Sequence, residues 1–126
     1  MSKQIISTIN APEAIGPYSQ AVVHDEIVYC SGQIALNPET METVGKTAAE
    51  QAKQVMENLK SVLEEAGSNL EKVLKCTVYV KDLNDFTAVN EIYGSYFPEN
   101  PPARVTVEVS RLPKDVLVEI DCIAYL

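Results

Sequence analysis

An alternation of apolar and polar residues near the end of the chain places the strongest constraint on the fold. It occupies residues 101–109 and, after a short loop, residues 116–122. This period of two is typical of strands that bury one face. The two segments predict an antiparallel hairpin, whose register is set because a slip of one residue would bury charged side chains. In that hairpin five polar residues would share one face: Arg104, Thr106, Glu108, Glu119 and Asp121.

The side chains of Arg104 and Glu119 are the candidates for chemistry on this face. A guanidinium is a planar, two-pronged donor that suits a carboxylate ligand. A glutamate on the same face can accept a proton from water as a general base. The alternative is a cross-strand ion pair between Arg104 and Glu119 that only stabilises the hairpin.

Length and composition bound the possible functions. A chain of 126 residues, 46% of them hydrophobic, predicts one globular domain over residues 1–126. The formal net charge of −8 argues against a nucleic-acid partner, which would need Lys and Arg to neutralise phosphates. No apolar run is long enough for a membrane span and no signal-peptide core follows the start, so we expect a cytoplasmic protein with no membrane partner.

The three cysteines, Cys30, Cys76 and Cys122, each lie in an apolar strand pattern. Their odd number and wide spacing match neither a disulfide framework nor a zinc site. We therefore expect buried free thiols and no bound metal.

The rest of the chain predicts a strand, a hairpin, a helix, a strand and a second helix before the final strands. The segments are residues 4–8 (strand), 21–36 (hairpin), 47–67 (helix), 73–80 (strand) and 84–98 (helix). Thr47 and Glu50 match a capping box at the first helix, and Gly67 is a stop signal. Gly32 inside the hairpin predicts a bulge or a close approach to the backbone.

A loop at residues 10–20 contains two prolines and a glycine, which exclude regular structure. Such a loop can hold Tyr18 or Ser19 in a fixed place. The alternative is that Tyr18 covers an apolar edge with its hydroxyl in water.

This order predicts an α+β two-layer domain, with a mainly antiparallel sheet and both helices on one sheet face. The other face would carry a semi-apolar set of residues: Tyr29, Ser31, Gln33, Thr77, Tyr79, Arg104, Thr106, Glu119, Asp121 and Ile123. A sheet face of this kind usually meets another subunit, so we expect a closed, symmetric homo-oligomer.

Five motifs, in order along nearly the whole chain, resemble those of the RidA family of reactive-intermediate deaminases, formerly described as translation inhibitors or endoribonucleases. The motifs are residues 15–20, 31–34, 80–86, 101–104 and 112–120. Each is weak alone, but the ordered set is specific.

The resemblance implies a chorismate-mutase-like fold and a homotrimer with ligand sites at the clefts between subunits. It also implies hydrolysis of enamine and imine intermediates, such as 2-aminoacrylate and other 2-imino acids, to 2-keto acids and ammonia. The family's carboxylate-binding arginine corresponds to Arg104, and its water-positioning glutamate to Glu119. Its loop tyrosine corresponds to Tyr18, and its Ser-Gly pair to Ser31 and Gly32, where the glycine N–H helps to bind the carboxylate.

The implied chemistry needs no cofactor, metal or protein nucleophile, because a protonated iminium carbon is already electrophilic. Many family members have a cysteine where this chain has Thr106. If that position contributes backbone contacts to the substrate, activity is retained.

Two other functions remain open. One is a regulatory trimer that binds keto or imino acids without turnover, since one fold can host several functions. The other is a nuclease, which the acidic charge and the lack of a metal cluster or catalytic histidine argue against.

Overall fold

The computed structural model describes residues 2–126. It contains six strands, which are β1 (Gln4–Ile6), β2 (Ala21–His24), β3 (Ile27–Gln33), β4 (Val73–Val80), β5 (Ala103–Glu108) and β6 (Val118–Tyr125). The two helices are α1 (Ala48–Glu65) and α2 (Phe86–Ser95). Short 3₁₀ turns lie at Leu70–Lys72, Leu83–Asp85 and Pro113–Asp115.

Helix α1 begins and ends where its sequence signals predict. The Thr47 side chain accepts a hydrogen bond from the Glu50 N–H, and the Glu50 carboxylate accepts one from the Thr47 N–H, which completes the capping box. After the helix, Gly67 adopts a φ of 90°, which a residue without a Cβ adopts easily. One face of the helix forms an apolar stripe, and its residues are buried at Ala52, Val55, Met56, Leu59, Val62 and Leu63.

The six strands form one sheet in the order β1-β2-β3-β6-β4-β5. Strands β2 and β3 form the predicted hairpin, with a turn at Asp25 and Glu26. All neighbours are antiparallel except β4 and β5, which are parallel. The predicted α+β class, with a mainly antiparallel sheet and two helices, is confirmed.

The predicted hairpin between β5 and β6 is wrong. Strand β5 is an edge strand that pairs with β4, while β6 lies between β3 and β4. Helix α2 connects β4 to β5, and a helical connection of this length allows a parallel crossover. The crossover places β5 next to β4 at the edge of the sheet. The opposite side of β4 is then left for β6, which lies between β4 and β3.

This topology reverses the predicted orientation of β5. Arg104 lies beside Cys76, and Thr106 lies beside Val78, on the side of the sheet that packs against the helices. Val105 and Val107 lie on the opposite face and are 43% and 39% exposed. The predictions that placed Arg104, Thr106 and Glu108 on one face with Glu119 and Asp121 are therefore wrong.

The core lies between the sheet and the two helices. It includes the three cysteines, which are free and buried as predicted. Burial raises the pKa of the Cys76 thiol to about 11. Within residues 2–126, no helix combines the length and apolarity needed to cross a bilayer.

The uncovered face of the sheet, which we call the open face, is semi-apolar. It carries Tyr29, Thr77, Tyr79, Val105, Val107, Glu119, Asp121, Ile123 and Tyr125. Gln33 was also predicted here but is buried, because a bulge between Cys30 and Gln33 shifts the register with β6.

Candidate functional site

A cavity of about 520 Å³ opens where β3 ends and β6 begins. Its walls come from the loop before β2, the residues around the end of β3, and the turn before β6. The lining residues are Pro12, Glu13, Ile15, Tyr18, Ser31, Gly32, Gln33, Ile34, Leu36, Pro113, Lys114 and Glu119. Four residues of the predicted site, Tyr18, Ser31, Gly32 and Glu119, are therefore brought together.

The Glu119 carboxylate lies directly against the backbone of Gly32. A Cβ built on Gly32 would lie 3.0 Å from Cδ and 3.2 Å from Cγ of Glu119, and would overlap its Oε2 atom. Gly32 is also within the bulge of β3. Both predictions for Gly32 are confirmed, since the position holds a bulge and a close approach to the backbone.

The protonation of Glu119 is set by its surroundings. Burial raises the pKa of this carboxyl above its usual range, and the nearby carboxylate of Asp121 raises it further. A carboxylate with a raised pKa is a stronger base, which suits it to accept a proton from water.

Ser31 and Tyr18 are linked through the loop before β2. The Ser31 hydroxyl donates a hydrogen bond to the Ser19 carbonyl at 2.6 Å, and the Ser31 N–H donates to the Gln20 carbonyl at 2.9 Å. The Tyr18 hydroxyl accepts from the Ile15 N–H at 3.2 Å, while half of the residue remains exposed. The Ser31 hydroxyl thus holds the loop that carries Tyr18, and its oxygen can still accept a hydrogen bond from a ligand.

Arg104 does not line this cavity. Its Nη1 donates to Asn90 Oδ1 at 2.5 Å, and its guanidinium carbon lies 4.9 Å from the ring centre of Tyr93 and 5.5 Å from that of Phe86. Such contacts between a guanidinium and aromatic rings stabilise the cation. Arg104 and Glu119 lie on opposite faces of the sheet, so the ion pair considered as an alternative cannot form within one chain.

Thr106 lies beside Arg104 on the helix side of β5. Its hydroxyl oxygen is buried and has no hydrogen-bond partner among residues 2–126. It does not contact the cavity of Glu119. Of the six predicted site residues, two therefore lie apart from the other four in a single chain.

Sequence reasoning did not connect Arg104 with the residues that surround it. Phe86, Asn90 and Tyr93 occur at spacings of four and three residues, which places them on one face of α2. That spacing was readable, but only the parallel crossover brings this face of α2 over β5. The acid and base that line the cavity, Glu13 and Lys114, were also not singled out.

Comparison with known proteins adds the family. A model of the family described as Endoribonuclease L-PSP matches residues 8–126. The chain belongs to this family. Proteins of the L-PSP family that are similar to this chain carry several names, and RutC and RidA are among them.

Three L-PSP relatives illustrate the likeness. A RutC family protein of Pyrococcus abyssi is 56% identical over 125 residues, which cover 99% of this chain and 98% of the relative. A human protein named 2-iminobutanoate/2-iminopropanoate deaminase is 47% identical over 122 residues, covering 97% of this chain and 89% of the relative. The crystal structure of RidA from an Antarctic Psychrobacter species matches with a TM-score of 0.94 at 46% identity, covering 98% of this chain and 99% of that chain. The resemblance to the RidA family is confirmed.

Proposed function

We propose that this protein hydrolyses reactive 2-imino acids, and the enamines that tautomerise to them, to 2-keto acids and ammonia. The observation that carries the proposal is the Glu119 carboxylate, held against the Gly32 backbone in a cavity with its pKa raised. The human relative named as a deaminase of 2-iminobutanoate and 2-iminopropanoate supports the same reaction.

The reaction needs a base and a polarised carbon. An enamine such as 2-aminoacrylate gains a proton at C3 and becomes 2-iminopropanoate. Water then adds to the protonated C=N carbon while Glu119 accepts a proton from that water. Glu119 then passes its proton to the nitrogen of the tetrahedral intermediate, and the C–N bond breaks as ammonia leaves. The hydroxyl proton goes to solvent, which leaves pyruvate and a charged Glu119.

Arg104 is assigned to the substrate carboxylate. Because Arg104 and Glu119 lie on opposite faces of the sheet, one chain cannot bring them together. A second copy of the chain can supply Arg104 from its edge strand β5. The semi-apolar open face supports such an assembly, and we assign it to the contact between subunits of a homotrimer.

Activity can be tested with imino acids generated in place. An amino-acid oxidase supplies the 2-imino acid, and its disappearance is timed with and without the purified protein. Arg104→Ala removes a two-pronged charged contact and is expected to lower kcat/KM by about tenfold to a thousandfold. Glu119→Gln keeps the shape but cannot accept a proton, so it should lower kcat and leave binding of 2-oxobutanoate within about threefold.

Mixed trimers test the shared site. In the proposed trimer each site takes Arg104 and Glu119 from different chains. When Arg104→Ala and Glu119→Gln chains mix at random, about a quarter of all sites should therefore contain both unmutated residues. Activity should therefore rise above that of either variant alone when the two impaired variants are refolded together. No return of activity in mixed trimers would contradict a site shared between subunits.

The same assays separate the alternative functions. A regulatory trimer would bind 2-oxobutanoate but leave the lifetime of the imino acid unchanged. Cleavage of RNA, which the family description Endoribonuclease L-PSP suggests, should not occur with a chain of net charge −8. Cleavage that persists across salt concentrations and is lost in Glu119→Gln would contradict the deaminase assignment.

A further inference from the structure

The turn before β6 has a left-handed backbone at two residues. Lys114 has a φ of 56° and a ψ of 20°, and Asp115 has a φ of 56°. Two consecutive residues with side chains therefore adopt the left-handed conformation that glycine adopts most easily. Such strain persists only where the surrounding structure holds it, and it is concentrated at functional sites.

Several hydrogen bonds hold this strained turn. The Asp115 N–H donates to the Leu112 carbonyl at 3.0 Å, and the Val116 N–H donates to the Pro113 carbonyl at 3.3 Å. The Arg111 guanidinium donates two hydrogen bonds to the Asp115 carboxylate, from Nε to Oδ1 at 2.7 Å and from Nη2 to Oδ2 at 3.2 Å. A two-pronged pair of this kind fixes orientation as well as adding stability.

The turn places Lys114 in the lining of the cavity that contains Glu119. Lys114 is exposed, and within residues 2–126 it forms no ion pair. Glu13 and Glu119 line the same cavity, and the whole chain carries a net charge of −8. An anion that enters this cavity would be repelled unless a cation stands close to its path.

We propose that Lys114 is a substrate-binding residue, whose ammonium receives the carboxylate of an anionic substrate as it enters the cavity, and that the strained turn exists to hold it there. The inference rests on the proposed function and adds a residue to the site. Its role differs from that of Arg104, which is assigned to hold the carboxylate during the reaction.

The first test compares two lysines. Lys114→Gln should raise KM for the 2-imino acid about two- to fivefold with kcat unchanged, as expected for the loss of an exposed charge contact. The difference from wild type should shrink as salt is added. Lys53→Gln is the control, because it removes the same charge from an exposed position on α1 outside the cavity. Equal KM values in the two variants would overturn the proposal.

The second test concerns the strain. Lys114→Gly should relieve the left-handed conformation and raise the Tm by about 2 to 5 °C, while KM rises as in Lys114→Gln. Glu26→Gly is the matched control, since Glu26 has a φ of 65° in the β2–β3 turn and lies outside the cavity. It should raise the Tm without changing KM. Lys114→Arg keeps the positive charge and should have a KM close to that of wild type. A Lys114→Gly variant with wild-type KM would show that the turn is only structural.

Titration with 2-oxobutanoate separates failure of this inference from failure of the proposed function. If wild-type protein does not shorten the lifetime of the imino acid, but binds the keto acid more tightly than Lys114→Gln does, the function is wrong and the role of Lys114 stands. If it deaminates but Lys114→Gln and Lys53→Gln bind alike, only the role of Lys114 is wrong. A protein that neither deaminates nor binds would overturn both.

Discussion

Glu119 shows how the environment of one residue prepares it for chemistry. Its carboxylate is partly withdrawn from water, lies against a backbone without a Cβ, and is close to a second carboxylate at Asp121. Each contact destabilises the charged form or fixes its position. Together they give a base whose strength and place are set before any substrate arrives.

The raised pKa of Glu119 predicts an acid limb in the pH profile. The base works only when deprotonated, so kcat/KM, whose pH profile reports groups of the free enzyme, should fall as the pH drops through a Glu119 pKa above the usual glutamate range. Asp121→Asn removes the nearby negative charge, lowers the pKa of Glu119 and should move that limb to lower pH. Burial, the larger cause, should keep part of the shift. A limb that does not move between wild type and Asp121→Asn would contradict this electrostatic account.

The contact at Gly32 predicts a steric effect on catalysis. In Gly32→Ala the new Cβ would overlap the Glu119 carboxylate, so Glu119 must move and kcat should fall by about tenfold or more. Gly94→Ala is the control, because a Cβ there meets nothing within 4 Å and Gly94 lies in α2. The control should keep full activity and gain about 0.5 to 1 kcal/mol of stability. Wild-type kcat in folded Gly32→Ala would show that the position of Glu119 is not critical.

Helix α1 stabilises the cavity walls through hydrogen bonds from its buried side chains. Its buried Asn58 donates hydrogen bonds to the carbonyls of Ile34 at 3.2 Å and Leu36 at 3.1 Å, and both residues line the cavity. Gln51 accepts a hydrogen bond from the Leu117 N–H at 2.8 Å, close to the start of β6. The helix thus supports the site through side-chain hydrogen bonds as well as through its apolar stripe.

Asn58→Ala should loosen one wall of the cavity. It leaves the Leu36 carbonyl without a donor, while the Ile34 carbonyl keeps a hydrogen bond from the Leu36 N–H at 2.8 Å. A buried unsatisfied polar group costs about 1 to 3 kcal/mol, so we expect a loss of that size in the free energy of unfolding, measured by denaturant titration. Gln54→Ala is the neighbouring control, because it removes only the hydrogen bond to Asn58 Oδ1. An equal loss in both variants would argue against the wall contacts as the cause.

For the whole molecule, the open face of the sheet is the surface through which we propose that chains assemble. Val105 and Val107 on the edge strand and Tyr29 on β3 remain exposed in one chain, although their side chains are suited to burial. The proposed trimer covers this face and brings Arg104 of one chain to Glu119 of another. Assembly and activity should therefore be lost together.

Val107→Glu places a charge on the open face and should convert the trimer to monomers, as measured by light scattering at micromolar concentration. Burial of an unpaired charge at an interface is strongly unfavourable, so dissociation is the expected result. Thr87→Glu adds the same charge on an exposed position of α2 and should remain trimeric. An active monomer of Val107→Glu would refute the shared site, and a monomeric wild-type protein would refute the trimer itself.

The sequence by itself determined the local elements. The α1 cap, its apolar stripe and its glycine stop depend on residues a few positions apart, so they were readable without tertiary information. The hairpin of β2 and β3 and the bulge at Gly32 were predicted on the same basis. The ordered motifs also predicted the family. Of the six site residues that they suggested, four line one cavity in the structure, namely Tyr18, Ser31, Gly32 and Glu119.

Only the tertiary structure decided which way β5 faces. The alternation in residues 101–109 divides the side chains of the strand into an apolar set and a polar set, but it does not determine which set faces the helices. The apolar set of an edge strand can face another subunit instead of the core, as we propose for Val105 and Val107. The parallel crossover through α2 places Arg104 against Asn90 and away from Glu119, because pairing of distant strands, and not local periodicity, sets the neighbours of each side chain.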